Sequence, residues 1–400
     1  MRHHRLIFNL TLSVGAALCV IAWAPVVTSG KGPFRTLIVG GGPDLEHNQV
    51  AIESNVRYLQ RIMPNDSPTR VLFTDGNPDS KNIQCEGDDK KIFYKKPEIG
   101  KIDGPSDMLA INSELAAIAV DAQQKPKSPI LLYFTGHGSP NARSRYNNNS
   151  YDLWDRKEYT VKDFANTLKV FPKEAPITLV MVECFSGAFG NLLFQDGDPK
   201  GDLADVNLCG FFASVAQRPA AGCTPELKEA NYRDFTSYFF AALSGTDRLG
   251  NKVFGADYNH DGKVTMNEAF AYSLIHDDSI DTPVCTSDVF LRRFITTPDN
   301  EIMSTPLSKV RQWASPSQLA ALDALGAYLK LQDEDALTLA YDEFMHMNQD
   351  SDDPRNVHTI RFVRLGKSIV LGHMLMAGDD KMLKDRYQAL LKLESTNPIR

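Results

Sequence analysis

The chain has 400 residues, of which 42% are hydrophobic, and its formal net charge is -7. This length is sufficient for one large domain, or for one domain with an extension. An acidic chain without a basic stripe has no surface that could neutralise phosphates, so these values argue against a nucleic-acid partner.

The N-terminus has the pattern of an export signal. Arg2 and Arg5 form a cationic start, Leu6 to Val27 is almost entirely apolar, and the small residue Ser29 follows. This order is typical of a cleaved signal peptide. A membrane anchor is the alternative, because the apolar run is almost long enough to span a bilayer. We predict a signal peptide at 1–29, no stable membrane span after cleavage, and an exported protein, either periplasmic or secreted.

The next part of the chain alternates between short apolar runs and segments of helical spacing. Strands are predicted at 35–40, 71–74, 130–134, 177–182 and 208–216, and helices at 47–63, 108–122, 161–170 and 230–243. The strands are continuously apolar rather than alternating, which indicates a mostly parallel sheet with helices on both faces. The polar segments 77–105 and 141–152 are predicted to be loops.

The last hundred residues differ from the rest because they contain only helix-like segments. These segments cover 316–331, 333–347, 360–376 and 381–393, and an acidic break lies at 349–354. We therefore divide the mature chain into a main domain at 30–304 and a helical C-terminal extension at 305–400.

The cysteine count is odd once Cys19, inside the apolar N-terminal run, is set aside. The remaining residues are Cys85, Cys184, Cys209, Cys223 and Cys285. In an exported protein four of them can form two disulfides in three possible pairings, and at least one thiol stays unpaired.

Two of the most apolar predicted strands end in reactive side chains. His137 follows the strand at 130–134, and Cys184 follows the strand at 177–182. Since the carboxyl ends of parallel strands share one edge of a sheet, the imidazole can act as a base for the thiol. Acyl transfer also needs N–H donors for the developing oxyanion, and the amides of Gly138 and Cys184 are candidates, because a glycine backbone can approach closely.

These motifs resemble those of the caspase and legumain group of cysteine peptidases (clan CD, C13-type). The similar stretches are FTGHGS, VECFSG, the opening RTLIVGGGPDLEHNQ, and CGFFASVAQRPAAGC, within roughly residues 34–245. The resemblance implies a caspase-like three-layer α/β/α sandwich, with Cys184 as nucleophile and His137 as general acid and base. It also implies an oxyanion hole from the amides of Gly138 and Cys184, and a position for Ser214 along the substrate backbone.

One position departs from the legumain pattern. Legumains carry a basic residue just before the histidine of the first loop, where it helps to bind Asn or Asp side chains. Here Glu46 precedes His47. We place both residues in the substrate-binding region, where an acidic side chain suits a basic substrate side chain better than Asn or Asp.

A second motif resembles a calcium-binding loop. Residues 257–268 fit its template, with predicted ligands Asp257, Asn259, Asp261, Lys263 and Glu268. No clear helix enters the loop, and the alternative is a plain turn that caps the following helix. We predict a structural Ca²⁺; catalysis itself needs no metal or other cofactor.

The resulting functional prediction is a cysteine-type endopeptidase that hydrolyses polypeptides through a Cys-His dyad and a thioester intermediate. One alternative is a catalytically degenerate, calcium-stabilised binding or scaffold protein on the same fold. Another is a transpeptidase or ligase that passes the same acyl-enzyme to an amine instead of water.

Overall fold

A six-stranded central sheet organises the protein, whose computed structural model describes residues 35–65 and 67–399. The eleven described strands are β1 Arg35–Gly41, β2 Thr69–Phe73, β3 Ile83–Glu86, β4 Ile92–Lys95, β5 Ile130–Gly136, β6 Gly138–Ser139, β7 Ser150–Leu153, β8 Lys157–Thr160, β9 Ile177–Met181, β10 Leu208–Phe212 and β11 Val284–Cys285. The strand order in the central sheet is β2-β1-β5-β9-β10-β11, and all neighbouring strands in it are parallel except β10 and β11.

Helices cover both faces of this sheet. Successive residues of a central strand enter different cores: Leu132 and Phe134 belong to one apolar cluster, and Leu131 and Tyr133 to the other. The α-helices are α1 Val50–Ile62, α2 Met108–Gln124, α3 Val161–Leu168, α4 Phe235–Ser244, α5 Met266–His276, α6 Thr286–Phe294, α7 Asp299–Met303, α8 Leu307–Trp313, α9 Pro316–Leu329, α10 Ala336–His346, α11 Pro354–Ala377 and α12 Lys381–Glu394. Burial on both faces explains why the strand sequences are continuously apolar.

The predicted fold class, an α/β three-layer sandwich with a mostly parallel sheet and C-terminal helices, is confirmed. The segment 77–105, predicted to be a loop, contains the hairpin of β3 and β4, and β7 begins inside the second predicted loop. Helices α6 to α8 had no sequence prediction. The predicted signal peptide lies outside the described residues, and no helix within the described part is long and apolar enough to cross a membrane.

The C-terminal helices share a core with the sheet. Val310 of α8, Leu325 of α9 and Phe362 of α11 belong to the same apolar cluster as Leu132 of β5 and Leu179 of β9. The last hundred residues therefore complete one face of the sandwich.

Glu394, the last residue of α12, is fully buried where α12 meets the start of α6. Its Oε1 accepts hydrogen bonds from the Thr286 hydroxyl and the Ser287 amide, both at 2.8 Å. Burial raises the pKa of Glu394 to about 7 despite these bonds. The folded protein therefore holds this proton more tightly than the unfolded chain does.

Removing this titration should change the pH dependence of stability. The raised pKa of Glu394 favours folding below about pH 4.5, and this contribution is lost as pH rises through about 7. We expect Glu394→Gln to be as stable as the wild type near pH 4.5 and more stable above pH 7, by up to roughly 3 kcal/mol from linkage. Urea unfolding at several pH values measures the difference. Glu301→Gln, at an exposed position of α7, is the control; an equal shift in both variants would contradict the assignment.

Candidate active site

Four chain segments meet at the carboxyl edge of the parallel sheet. They follow β1, β5, β9 and β10, and the last three carry His137, Cys184 and the segment from Ser214 to Cys223. The segment after β1 carries His47. The sheet topology thus brings the His and Cys motifs to neighbouring strand ends, as the sequence predicted.

The imidazole of His137 lies between the first loop and α1. Its Nε2 is 2.9 Å from Oε1 of Gln49, and its ring meets the ring of His47 edge-on, with centroids 5.7 Å apart. Burial, and then the charge of His47, lower the pKa of His137 to about 4. The imidazole is therefore neutral at pH 7 and can accept a proton.

Asp44 orients the second histidine. Its Oδ1 accepts from the His47 amide at 3.1 Å and lies 2.7 Å from Nδ1 of the same residue. Its Oδ2 accepts from Nε of Arg156 at 2.8 Å. Partial burial opposes ionisation of Asp44, but its hydrogen bonds and the charge of His47 hold its pKa below the usual value. This carboxylate thereby fixes the ring that contacts His137.

The thiol of Cys184, a partly exposed residue, lies against the segment that follows β10. Its Sγ accepts from the Ala220 amide at 3.3 Å and lies 3.6 Å from the Ala220 carbonyl oxygen. Burial raises the pKa of the thiol, although the Ala220 bond opposes this; the charges of Asp281 and Glu183 add to the rise. The thiol is therefore protonated at pH 7. Among the described residues, Nε2 of His137 is hydrogen-bonded to Gln49, and Sγ of Cys184 is hydrogen-bonded to Ala220.

Gly138 packs closely against the backbone that carries Cys184. A Cβ built on Gly138 would stand 2.3 Å from the Cys184 carbonyl oxygen and 2.7 Å from Cγ of Glu183. Since both distances are well below van der Waals contact, only glycine fits here. Phe185, the residue after Cys184, has φ = 61°, so the chain turns sharply at this strand end.

Glu183 points into the protein interior behind Gly138. It is 1% exposed, and among the described residues neither of its carboxyl oxygens has a hydrogen-bond partner. Burial raises the pKa of Glu183 well above its usual range. The interior position of this carboxyl group therefore disfavours its ionised form.

Ser214 is fully buried rather than open to a substrate. Its hydroxyl donates to the Pro219 carbonyl at 2.9 Å and lies 3.0 Å from the Thr282 hydroxyl. Its carbonyl accepts from the Gly187 amide at 2.8 Å. The predicted substrate contact of Ser214 stays a prediction, and it requires the segment after β10 to move.

Glu46 lies on an exposed 3₁₀ helix formed by Leu45–His47. Its backbone amide donates to Oδ1 of Asp44 at 3.0 Å, and its backbone carbonyl accepts from the side-chain Nε2 of Gln49 at 3.4 Å. Glu46 and His47 are the two residues predicted to bind substrate, and of these His47 contacts the ring of His137. Substrate binding by Glu46 and His47 stays a prediction.

Arg218 connects Phe185, the residue after Cys184, to the C-terminal helices. Its carbonyl accepts from the Phe185 amide at 2.9 Å. Its guanidinium is almost fully buried and donates to the carbonyls of Gln349 and Ser351 and to a carboxyl oxygen of Asp352. The acidic break between α10 and α11 is therefore tied to the residue that follows Cys184.

Sequence reasoning missed three polar residues that assemble this edge. Gln49 bonds His137, Asp44 orients His47, and Asn149 donates to the carbonyls of Phe185 and Ala216 at 3.1 and 2.9 Å. The Asp at the start of a short helical turn was a detectable signal for Asp44. Gln49 and Asn149 act through contacts between distant parts of the chain, which leave no local pattern.

The five described cysteines are all free thiols: Cys85, Cys184, Cys209, Cys223 and Cys285. The disulfides that the sequence allowed are therefore absent among the described residues. Cys85, Cys209 and Cys285 lie in buried strands, where apolar packing accounts for them without a bridge.

The predicted calcium loop forms a turn with internal hydrogen bonds. Carboxyl oxygens of Asp257 accept from the amides of Asp261 and Gly262, and φ of Gly262 is 83°. Glu268 caps α5 and accepts from the amides of Tyr258 and Asn259 and from Thr265.

Within the described residues no group of three or more His, Cys, Asp or Glu side chains is arranged to hold a metal. Ligation by Glu268 would require it to give up several of its present bonds. Calcium binding through Asp257, Asn259, Asp261, Lys263 and Glu268 stays a prediction.

No protein-family profile matches the sequence, and no curated protein is significantly similar to it. The solved structures that resemble the chain distantly include the following three. A Geobacter sulfurreducens protein is 13% identical with a TM-score of 0.37, over 64% of this chain and 92% of its own. A secreted C11 cysteine protease from Bacteroides thetaiotaomicron, solved with an irreversible peptide inhibitor, is 10% identical with a TM-score of 0.33, over 69% and 72%. Chaetomium thermophilum Raptor is 9% identical with a TM-score of 0.31, over 90% and 43%.

Proposed function

We propose that the protein is a cysteine-type endopeptidase in which Cys184 and His137 form the catalytic dyad. The observation that carries this proposal is the meeting of the two strand ends at Gly138, where a side chain of any size would strike the Cys184 carbonyl. An imidazole and a thiol at adjacent carboxyl ends of parallel strands lie where ligands bind in sheets of this type.

The chemistry starts from a neutral pair. Because burial lowers the pKa of His137 and raises that of Cys184, the thiol keeps its proton until a substrate carbonyl is in reach. The sulfur then attacks the carbonyl carbon as its proton moves to His137, and the amide of Gly138 is a candidate donor to the oxyanion. His137 passes the proton to the leaving amine and later removes a proton from the water that cleaves the thioester.

One side of the sulfur is covered by a backbone segment. Sγ of Cys184, a partly exposed residue, lies against both backbone groups of Ala220, so this segment borders the approach of a substrate carbonyl. These contacts are also the observation that favours the second candidate function, a binding protein on the same fold whose dyad does not turn over.

Digestion of a defined peptide pool in H₂¹⁸O tests the proposal. Hydrolysis through an acyl-enzyme places one ¹⁸O in the new carboxyl terminus of each product, whereas transfer to an added amine gives a ligated mass without ¹⁸O. We expect labelled hydrolysis products, enriched in peptides cut after basic residues if Glu46 lines the pocket. An intact pool after prolonged incubation, in the absence and presence of Ca²⁺, would support the binding protein instead.

Export to the periplasm or the extracellular space and a polypeptide substrate belong to the same proposal. Both are consistent with a peptidase that needs no other cofactor.

A further inference from the structure

A second cavity lies away from the candidate active site, between the sheet edge and the C-terminal helices. It has a volume of about 220 Å³ and is bounded by α5, α6, α9, α11, α12 and the strand β11. Its wall is mostly apolar, formed by Phe270, Leu274, Leu291, Leu365 and Leu391 among others. Ser315 and Ser395 are exposed at its rim.

The polar side of this cavity is lined by two guanidiniums, those of Arg361 and Arg364, and by one carboxylate, that of Asp288. Asp288 pairs with Arg364 and also with Arg292, which is not a lining residue. Nε of Arg364 and Nη1 of Arg292 have no hydrogen-bond partner among the described residues. The nearby Glu394 adds little negative charge below neutral pH, because burial raises its pKa to about 7. A lining guanidinium with an unused donor, that of Arg364, is suited to a further anion.

We propose that this cavity binds a small amphipathic carboxylate, with its apolar body among the leucines and its carboxylate toward Arg364. A dry cavity of about 150 Å³ accepts a benzene ring, so this volume suits about ten non-hydrogen atoms. A medium-chain aliphatic acid or an aryl acid has that size. This binding site does not depend on the proposed peptidase activity.

Arg361 links the cavity wall to the segment that contacts Cys184. Its guanidinium donates to the carbonyls of Asp277 and Asp281, and the Asp281 carboxylate accepts from the Ala221 amide at 2.6 Å. The neighbouring Ala220 amide donates to Sγ of Cys184. A ligand that binds the folded wall stabilises this closed arrangement by mass action, so occupancy should slow reaction of the thiol with small reagents.

Calorimetry with octanoate and octanamide, which have the same size, tests the binding site. We expect octanoate to bind at one site and at least tenfold more tightly than octanamide. Ala321→Met fills the cavity from α9 and should abolish binding, while Ala327→Met, on the exposed face of the same helix, should bind as the wild type does. Arg364→Met should remove the preference for the carboxylate. The proposal would be overturned if octanoate showed no saturable binding, or if it bound equally to Ala321→Met and Ala327→Met.

The effect of the ligand on Cys184 is measured by the labelling rate of the thiol, without an assay of catalysis. We expect saturating octanoate to slow iodoacetamide labelling of Cys184 at least threefold in the wild type and to leave the rate unchanged in Ala321→Met. Circular dichroism melting shows whether each variant folds. A wild-type rate that octanoate does not change would refute the link, whatever the peptide digestion shows.

Discussion

Replacing Cys184 by alanine is expected to abolish peptide hydrolysis, with kcat/KM at least about 10⁴-fold lower than in the wild type, and His137→Ala should lose nearly as much. The first variant has no atom that can form the thioester. The second has no group that can take the proton from a thiol whose pKa is raised by burial. The measurement is the rate of cleavage of the best peptide found in the digestion.

The matched control is Cys209→Ala, which removes a buried thiol from the start of β10, at the opposite end of the strand from the candidate site. Its kcat/KM should stay within a few-fold of the wild type. Activity that survives in Cys184→Ala would rule out the dyad, and equal losses in all three variants would point to a folding defect.

The pH profile of the wild type adds a sharper requirement. Activity should fall at low pH as His137 becomes protonated, and the acidic limb should lie near pH 4, because the pKa of His137 is lowered to about 4. An imidazole with its ordinary pKa would place this limb near pH 6.5. A limb at that position would mean that His137 is more open to water in the working enzyme.

Arg361→Met is expected to lower the free energy of unfolding by about 3–5 kcal/mol, more than any other substitution proposed for this protein. Arg361 is fully buried, and its donors go to the carbonyls of Asp277, Ser279 and Asp281. Its charge lies 3.9 Å from the buried carboxylate of Asp277. Methionine retains much of the volume but leaves the buried carbonyls of Asp277 and Asp281 and the half-buried carbonyl of Ser279 without this donor.

Arg355→Met on the same helix is the control. Arg355 is 48% exposed and pairs with Glu343 on the surface, so its loss should cost no more than about 1 kcal/mol. Guanidinium unfolding followed by tryptophan fluorescence measures both variants. Similar losses in the two variants would show that the buried carbonyls find other donors.

Much of the sheet could be predicted from sequence because its signal is local. The apolar runs around Leu132 and Leu179 are strands buried on both faces, and reactive residues directly after them must lie at one edge of a parallel sheet. The helices α6 to α8 were missed because their apolar positions are few and face a core that distant segments create.

The polar scaffold of the candidate site could not be predicted in this way. Gln49 meets His137 across 88 positions of the chain, and Arg218 meets Asp352 across 134. Only the folded topology brings these pairs together. The outward position of Glu46 and the buried position of Ser214 likewise depend on how loops fold back over the strand ends.

The tie between Arg218 and the acidic break has a practical consequence for dividing this chain. A fragment that ends near residue 304 would lose the acceptors of a buried guanidinium beside the nucleophile. It would also uncover the apolar face that Val310, Leu325 and Phe362 close. We expect such a fragment to be prone to aggregation, so a minimal soluble fragment should extend through the last helix. The boundary seen in sequence composition is therefore expected to be a poor place at which to cut the chain.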